Sequence, residues 1–170
     1  MGPLVLNVSD LLHRRGARRH EQLTVPALAG LAVVGTSVPP GHQITVNVDL
    51  ESVSDGILAT GSVAAAWRSE CRRCLADVTG DARAGFQELF EPRAREGETY
   101  PMQHEHIDLE PLARETLLLE LPLAPLCRED CLGLCPTCGV DLNESACDCA
   151  PTDRDPRWAA LDELRDQLNR

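Results

Sequence analysis

Residues 44–74 read ITVNVDLESVSDGILATGSVAAAWRSECRRC, and their periodicity decides the fold. Ile44, Val46, Val48 and Leu50 alternate with Thr45, Asn47, Asp49 and Glu51. An apolar and a polar face repeating at period two mark a half-buried strand. Ser54-Asp55-Gly56 supplies turn residues. A second alternation follows at Ile57, Ala59, Gly61, Val63, Ala65 and Trp67. The two runs predict a β-hairpin whose second strand leads directly into Cys71-Arg72-Arg73-Cys74. From Leu75 to Phe90 the pattern is again mostly extended, which places this C-x2-C at a turn between strands. A redox C-x-x-C would instead open a helix, and no helical period begins here.

Working towards the N-terminus, Leu4 to Val8 predicts a short strand and Ser9 a cap for a helical turn through Leu12. Arg14, Arg15, Gly16, Ala17, Arg18, Arg19 and His20 form the one concentrated basic tract. Without apolar periodicity it reads as a loop, either simply solvated or in contact with RNA or a protein partner. Leu23 to Val34, interrupted by Pro26 and Gly30, predicts a strand and a turn. Towards the C-terminus, Glu91 to His106 is charged and broken by Pro92, Gly97 and Pro101, so it reads as a loop that leaves His104 and His106 exposed. Asp108 is a good N-cap, and Pro111 is tolerated in a first turn. Leu109, Leu112, Ala113, Thr116 and Leu119 then predict one face of a helix ended by Pro122 and Pro125. Asp155-Pro156 starts a last predicted helix, to Arg170, with Trp158, Leu161, Leu164 and Leu168 as its apolar stripe.

Between the two helices lies the segment 127–149, CREDCLGLCPTCGVDLNESACDC, which holds six of the eight cysteines. Two cysteines on one tight turn supply two thiolates about 2.3 Å from a zinc ion, and a second pair closes the tetrahedron. Cys135-Pro136-Thr137-Cys138-Gly139 is such a knuckle, with Gly139 allowing the tight exit. Its nearest completion is Cys147 and Cys149. Cys127 and Cys131 then pair with Cys71 and Cys74, stapling the hairpin tip to the segment after the first long helix. The expectation is two structural zinc ions, each held by four thiolates. A disulfide framework suits short secreted chains. The N-terminus shows no signal-peptide pattern, and no apolar run approaches the roughly 20 residues that span a bilayer. A cytoplasmic location is therefore expected, where cysteines at ligand spacing favour metal.

Composition narrows function further. Formal net charge is −11, all sixteen Lys+Arg residues are Arg, and aromatics make up 3%. Bulk-charge binding to nucleic acid is disfavoured, and DNA is not expected as a partner. Lysine-dependent chemistry is excluded. Stacking platforms for RNA bases are scarce. All-cysteine ligand sets leave no open position for substrate, so neither site is expected to be catalytic. No nucleophile elbow, P-loop or dinucleotide fingerprint is present. The overall expectation is an α+β fold: mainly antiparallel sheet, a few short helices and a C-terminal Cys-rich zinc module. The division predicted is 1–126 for the antiparallel α+β domain and 127–170 for the zinc-knuckle module with its packed C-terminal helix.

The order of segments resembles the YceD family of large ribosomal RNA subunit accumulation proteins. The resemblance is carried by Cys71-Arg72-Arg73-Cys74-Leu75 after a hairpin and by Ile107 to Pro111. It continues through Leu117 to Cys127, then Cys131 to Gly139, and ends with Asp155-Pro156-Arg157 and Leu161. It implies a non-enzymatic factor that supports accumulation of large-subunit ribosomal RNA. Its expected partners are that RNA or a large-subunit ribosomal protein, met through Arg72 and Arg73 and through Arg14, Arg15, Arg18 and Arg19. The competing expectation is a zinc-stabilised protein-interaction adaptor with no direct RNA role.

Overall fold

The computed structural model describes residues 2–149 and Leu161. The predicted hairpin is its centre. β5 (Gln43–Ser52) and β6 (Ile57–Glu70) pair antiparallel from Ile44 opposite Ala65 to Ser52 opposite Ile57. Ile44, Val46, Val48, Leu50, Ile57, Ala59 and Val63 are completely buried, so the period-two faces are sorted as the sequence predicts. β7 (Asp77–Glu91) returns along β6 for the whole length from Glu70 opposite Asp77 to Ile57 opposite Phe90. The Cys71–Cys74 turn joins these two long strands.

Around this meander the chain adds short pieces. β1 (Val5–Asn7) is followed by α1 (Ser9–Leu12), then β2 (Arg18–Pro26), which pairs with β5. β3 (Ala32–Val33) and β4 (Thr36–Ser37) extend the edge of β6 beyond β5. β8 (Tyr100–Gln103) and β9 (His106–Asp108) continue from β7 towards β1. α2 (Glu110–Glu120) covers the apolar face, burying Leu112, Ala113 and Leu117.

Five expectations need correction. The sheet is mixed, because β8 runs parallel to β7 at Phe90 opposite Tyr100. Residues 91–106 are a loop only in part: β8 and β9 form a hairpin whose turn holds His104 at φ +56°. The basic tract is a loop only to Ala17, since Arg18, Arg19 and His20 begin β2. Ser9 does not cap α1: its N–H and hydroxyl both donate to Asn7 Oδ1. The predicted face of α2 also shifts. Leu119 is 89% exposed, while Leu109 and Leu121 are buried. The buried stripe follows the four-residue row Leu109, Ala113, Leu117, Leu121. That row drifts about 40° per step around a 3.6-residue helix and leaves Leu119 outside. Asp108 does act at the helix start, accepting the Glu110 N–H at 2.9 Å. The helix predicted over 155–170 lies outside the described residues except for Leu161, which is helical and half exposed.

Candidate metal centres

Each centre is built from a tight turn that the chain folds in the same way twice. In the first, Leu75 N–H donates to Cys71 O at 3.0 Å and Cys71 N–H to Ala76 O at 2.8 Å. In the second, Gly139 N–H donates to Cys135 O at 2.9 Å and Cys135 N–H to Val140 O at 2.8 Å. The amide two residues on points at the leading sulfur in both: Arg73 N–H to Cys71 Sγ at 3.5 Å, Thr137 N–H to Cys135 Sγ at 3.4 Å. These turns bring two sulfurs together and aim backbone donors at them.

The second pair of each set comes from the segment after α2. The sulfurs of Cys71, Cys74, Cys127 and Cys131 all lie within 4.8 Å of one another, and so do those of Cys135, Cys138, Cys147 and Cys149. These are the two sets that spacing predicts. Cys71 Sγ is 3.8 Å from Cys131 Sγ, and Cys74 Sγ is 3.6 Å from Cys127 Sγ. A tetrahedron with zinc–sulfur bonds of about 2.3 Å has edges of about 3.8 Å, so the first set has the size of a zinc tetrahedron. All eight cysteines are free thiols, as metal ligation requires.

The electrostatics of the two sets agree. Backbone N–H donors, the Cys74 amide first, draw the Cys71 thiol down to about 6, and the Cys138 amide leads the same effect on Cys135. Cys127 is pushed up to about 12 by Cys131 and then Cys74, and Cys149 to about 12 by Cys138 and then burial. Each set thus accepts a first negative charge readily and resists the last. A divalent cation at the centre supplies the missing countercharge. The donor sets fit a closed, structural ion; with four sulfur ligands no position remains for substrate.

The surroundings tie the first centre into the sheet. Arg72 N–H donates to Pro125 O at 3.0 Å, and Leu134 N–H to Arg73 O at 3.0 Å. The Arg73 guanidinium donates to Cys131 O at 2.8 Å and Glu129 O at 3.3 Å. Gly133, at φ +79°, lies against this strap: a Cβ there would come 2.9 Å from Arg73 O. The two centres also touch through Asn143, which the sequence reading missed. It belongs to the loop between Cys138 and Cys147, yet its Nδ2 donates to Cys131 Sγ at 3.4 Å and its Oδ1 accepts Leu132 N–H at 2.8 Å. Nothing in the spacing marks it, because its partners are brought near only by the closed centres.

The structure separates the six arginines singled out from sequence. Arg72 is exposed and has no ion pair among the described residues. Arg73 is exposed but holds two backbone carbonyls. Arg14 and Arg15 are exposed on the turn before β2. Arg18 pairs with Glu51 at 2.9 Å, and Arg19 with Asp10 at 2.6 Å. Beside Arg72, Leu75 is 60% exposed at φ +62°, a left-handed backbone at a side chain that disfavours it. No helix among the described residues is long and apolar enough to cross a membrane.

Residues 59–165 match the family described as Large ribosomal RNA subunit accumulation protein YceD. An uncharacterised protein of Mycobacterium tuberculosis H37Rv is 37% identical over 175 aligned positions, covering 95% of this chain and 81% of the relative. A Mycobacterium leprae protein is 35% identical over 172 positions, covering 96% of this chain and 78% of its own length. The Arabidopsis thaliana protein named large ribosomal RNA subunit accumulation protein YCED homolog 1, chloroplastic, is 32% identical over 69 positions, which is 41% of this chain and 22% of the plant protein. No solved structure matches the chain.

Proposed function

Because the chain belongs to the YceD family, named for the accumulation of large-subunit ribosomal RNA, we propose that it is a non-enzymatic ribosome-biogenesis factor working in the cytoplasm. It supports assembly of the large subunit through local contacts to precursor RNA or to a ribosomal protein. Two zinc ions, each held by one cysteine set, stiffen it. In this reading residues 1–126 are the body and 127–170 the zinc module, joined through the first centre.

The observation that carries this reading is the hairpin tip. A closed four-sulfur centre leaves no room for chemistry but holds the turn rigid. On that turn Arg72 is exposed and has no ion pair among the described residues, and Leu75 keeps a strained backbone and an exposed apolar side chain where glycine would relieve both. Strain kept at a rigid exposed tip points to contact rather than to folding. Arg14 and Arg15 are the second contact; Arg18 and Arg19 are held in ion pairs within the fold.

The test is a pull-down of the full chain, with sequencing of bound RNA and identification of bound proteins, alongside Arg72→Glu. The variant is expected to keep its fold and metal, to lose the captured RNA or ribosomal protein, and to deplete mature large subunits. Arg73 is left in place because it supports the metal centre. Normal subunit profiles from the folded variant would dispose of the tip as the contact. A second reading, the adaptor without an RNA role, draws on the net charge of −11. RNA retained at moderate salt decides against it.

A further inference from the structure

Among the described residues, β7 has one edge open. Its whole length pairs with β6 on one side, but on the other only Phe90 and Glu91 meet β8. Among the described residues, no backbone hydrogen bond reaches residues 77–89 from that side. Exposed edges of this length are usually blunted by Lys, Pro or a cover. Here the segment DVTGDARAGFQEL has no Lys and no Pro, and Arg83 is its one basic residue. Its unpaired N–H and C=O groups are a ready template for another strand.

The flank of this edge is chemically one-sided. A groove of about 370 Å³ runs between β7 and α2, lined by Phe86, Glu88, Glu115, Leu119 and Glu120 among others, with no basic residue among the described ones. Ala82 and Phe90 are buried and mark the inward face of β7, so Ala84, Phe86 and Glu88 lie on the groove side at period two. A strand added to the edge places every second side chain in that groove. There it meets three carboxylates and the 89% exposed Leu119.

We propose that this edge takes an extended basic segment of a second protein by strand addition. Backbone hydrogen bonds hold the segment along residues 77–89, and its alternate Lys or Arg side chains reach Glu88, Glu115 and Glu120. A second copy of this chain is a poor occupant, since it brings the same carboxylates and a net charge of −11. The inference stands on the edge and the groove and not on the ribosomal reading, so either can fail alone.

The experiment uses the full metal-loaded chain and three short labelled peptides: Lys alternating with Val, Glu alternating with Val, and Lys alternating with Pro. The Lys–Val peptide is expected to bind at low salt at least about tenfold tighter than either control, because it alone combines the charge with a full set of backbone N–H donors and an unrestricted extended backbone. It should also slow amide exchange within residues 77–89. Glu88→Gln together with Glu120→Gln should weaken that binding about tenfold. The proposal is overturned if the Lys–Pro peptide binds equally, if protection falls elsewhere, or if the double variant binds unchanged. It is also overturned if these amides already exchange slowly in a free protein of dimeric mass.

Discussion

The turns Cys71–Cys74 and Cys135–Cys138 are the same backbone device set in two contexts. Their hydrogen bonds match within about 0.2 Å, each aims an amide at its leading sulfur, and each exits through a left-handed residue. The exit residue differs: Leu75 at φ +62°, Gly139 at φ +76°. So does the reach of the closing pair. Cys74 and Cys127 lie 53 positions apart, whereas Cys138 and Cys147 are joined by a short local loop. One device therefore serves as a long-range clasp in the first case and as a self-contained knot in the second. The length-dependent part of loop-closure entropy favours the long loop as the stronger constraint by about 1.5 kcal/mol.

The largest predicted effect breaks the clasp. Cys71→Ser should release one metal ion, expose the strap after α2 and lower the melting temperature by roughly 10 °C. Cys147→Ser should release the other ion and leave the hairpin amides protected. Elemental analysis and hydrogen exchange check both; identical exchange patterns in the two variants would erase the distinction between clasp and knot. Next in size is Asn143→Ala, which leaves Leu132 N–H and Cys131 Sγ without their partner and should cost about 1–3 kcal/mol. Though Asn143 lies in the knot's loop, the first ion should be the one released faster to a chelator.

Smaller effects test the exit residue. A Cβ at Gly139 meets nothing within 4 Å, so Gly139→Ala isolates the backbone cost and should destabilise by about 1 kcal/mol. Leu75→Gly should stabilise by roughly 0.5–1 kcal/mol, the strain relieved less the chain entropy of glycine. Equal and opposite shifts in denaturant midpoint would confirm that the turns are equivalent. A further effect is common to both turns and is read from pH rather than from substitution. In metal-free protein, Cys71 and Cys135 are lowered from 9.0 to about 6, so their thiolates stabilise above pH 9 and that contribution is lost as pH falls through 6. Cys127 and Cys149 are raised to about 12, so their share is full below pH 9 and lost as pH rises through 12. Metal-free stability should therefore peak near pH 9; a flat profile there would contradict the matched electrostatics.

Much of this was legible in the sequence for a local reason. Period-two alternation fixes which face of β5 and β6 is buried, and ligand spacing alone assigns all eight cysteines to the two sets the fold assembles. What was not legible depends on partners distant in the chain. β8 and β9 are short, and Pro101 and the charges around it read as loop; they become strands because β1 and the end of β7 offer them edges. Arg18 and Arg19 show no apolar period and join β2 through pairing with Glu51 and Leu50. Arg73 reads as a free charge beside Arg72 until the strap from Glu129 to Leu134 closes over it. Leu117 replaces Leu119 in the core because the sheet selects the drifting row of α2 rather than its straight face.

The clasp also imposes an order in time. Chains emerge amino end first at about 5–20 residues per second. The 53 positions between Cys74 and Cys127 then correspond to a delay of roughly 3–11 s. Through that interval the turn at Cys71 has only half of its ligands, and the hairpin it crowns, complete once Glu91 is made, stays unfastened. The knot, by contrast, needs only a second or two from its first ligand to its last. The body of the fold thus remains unlocked until synthesis has passed Cys131.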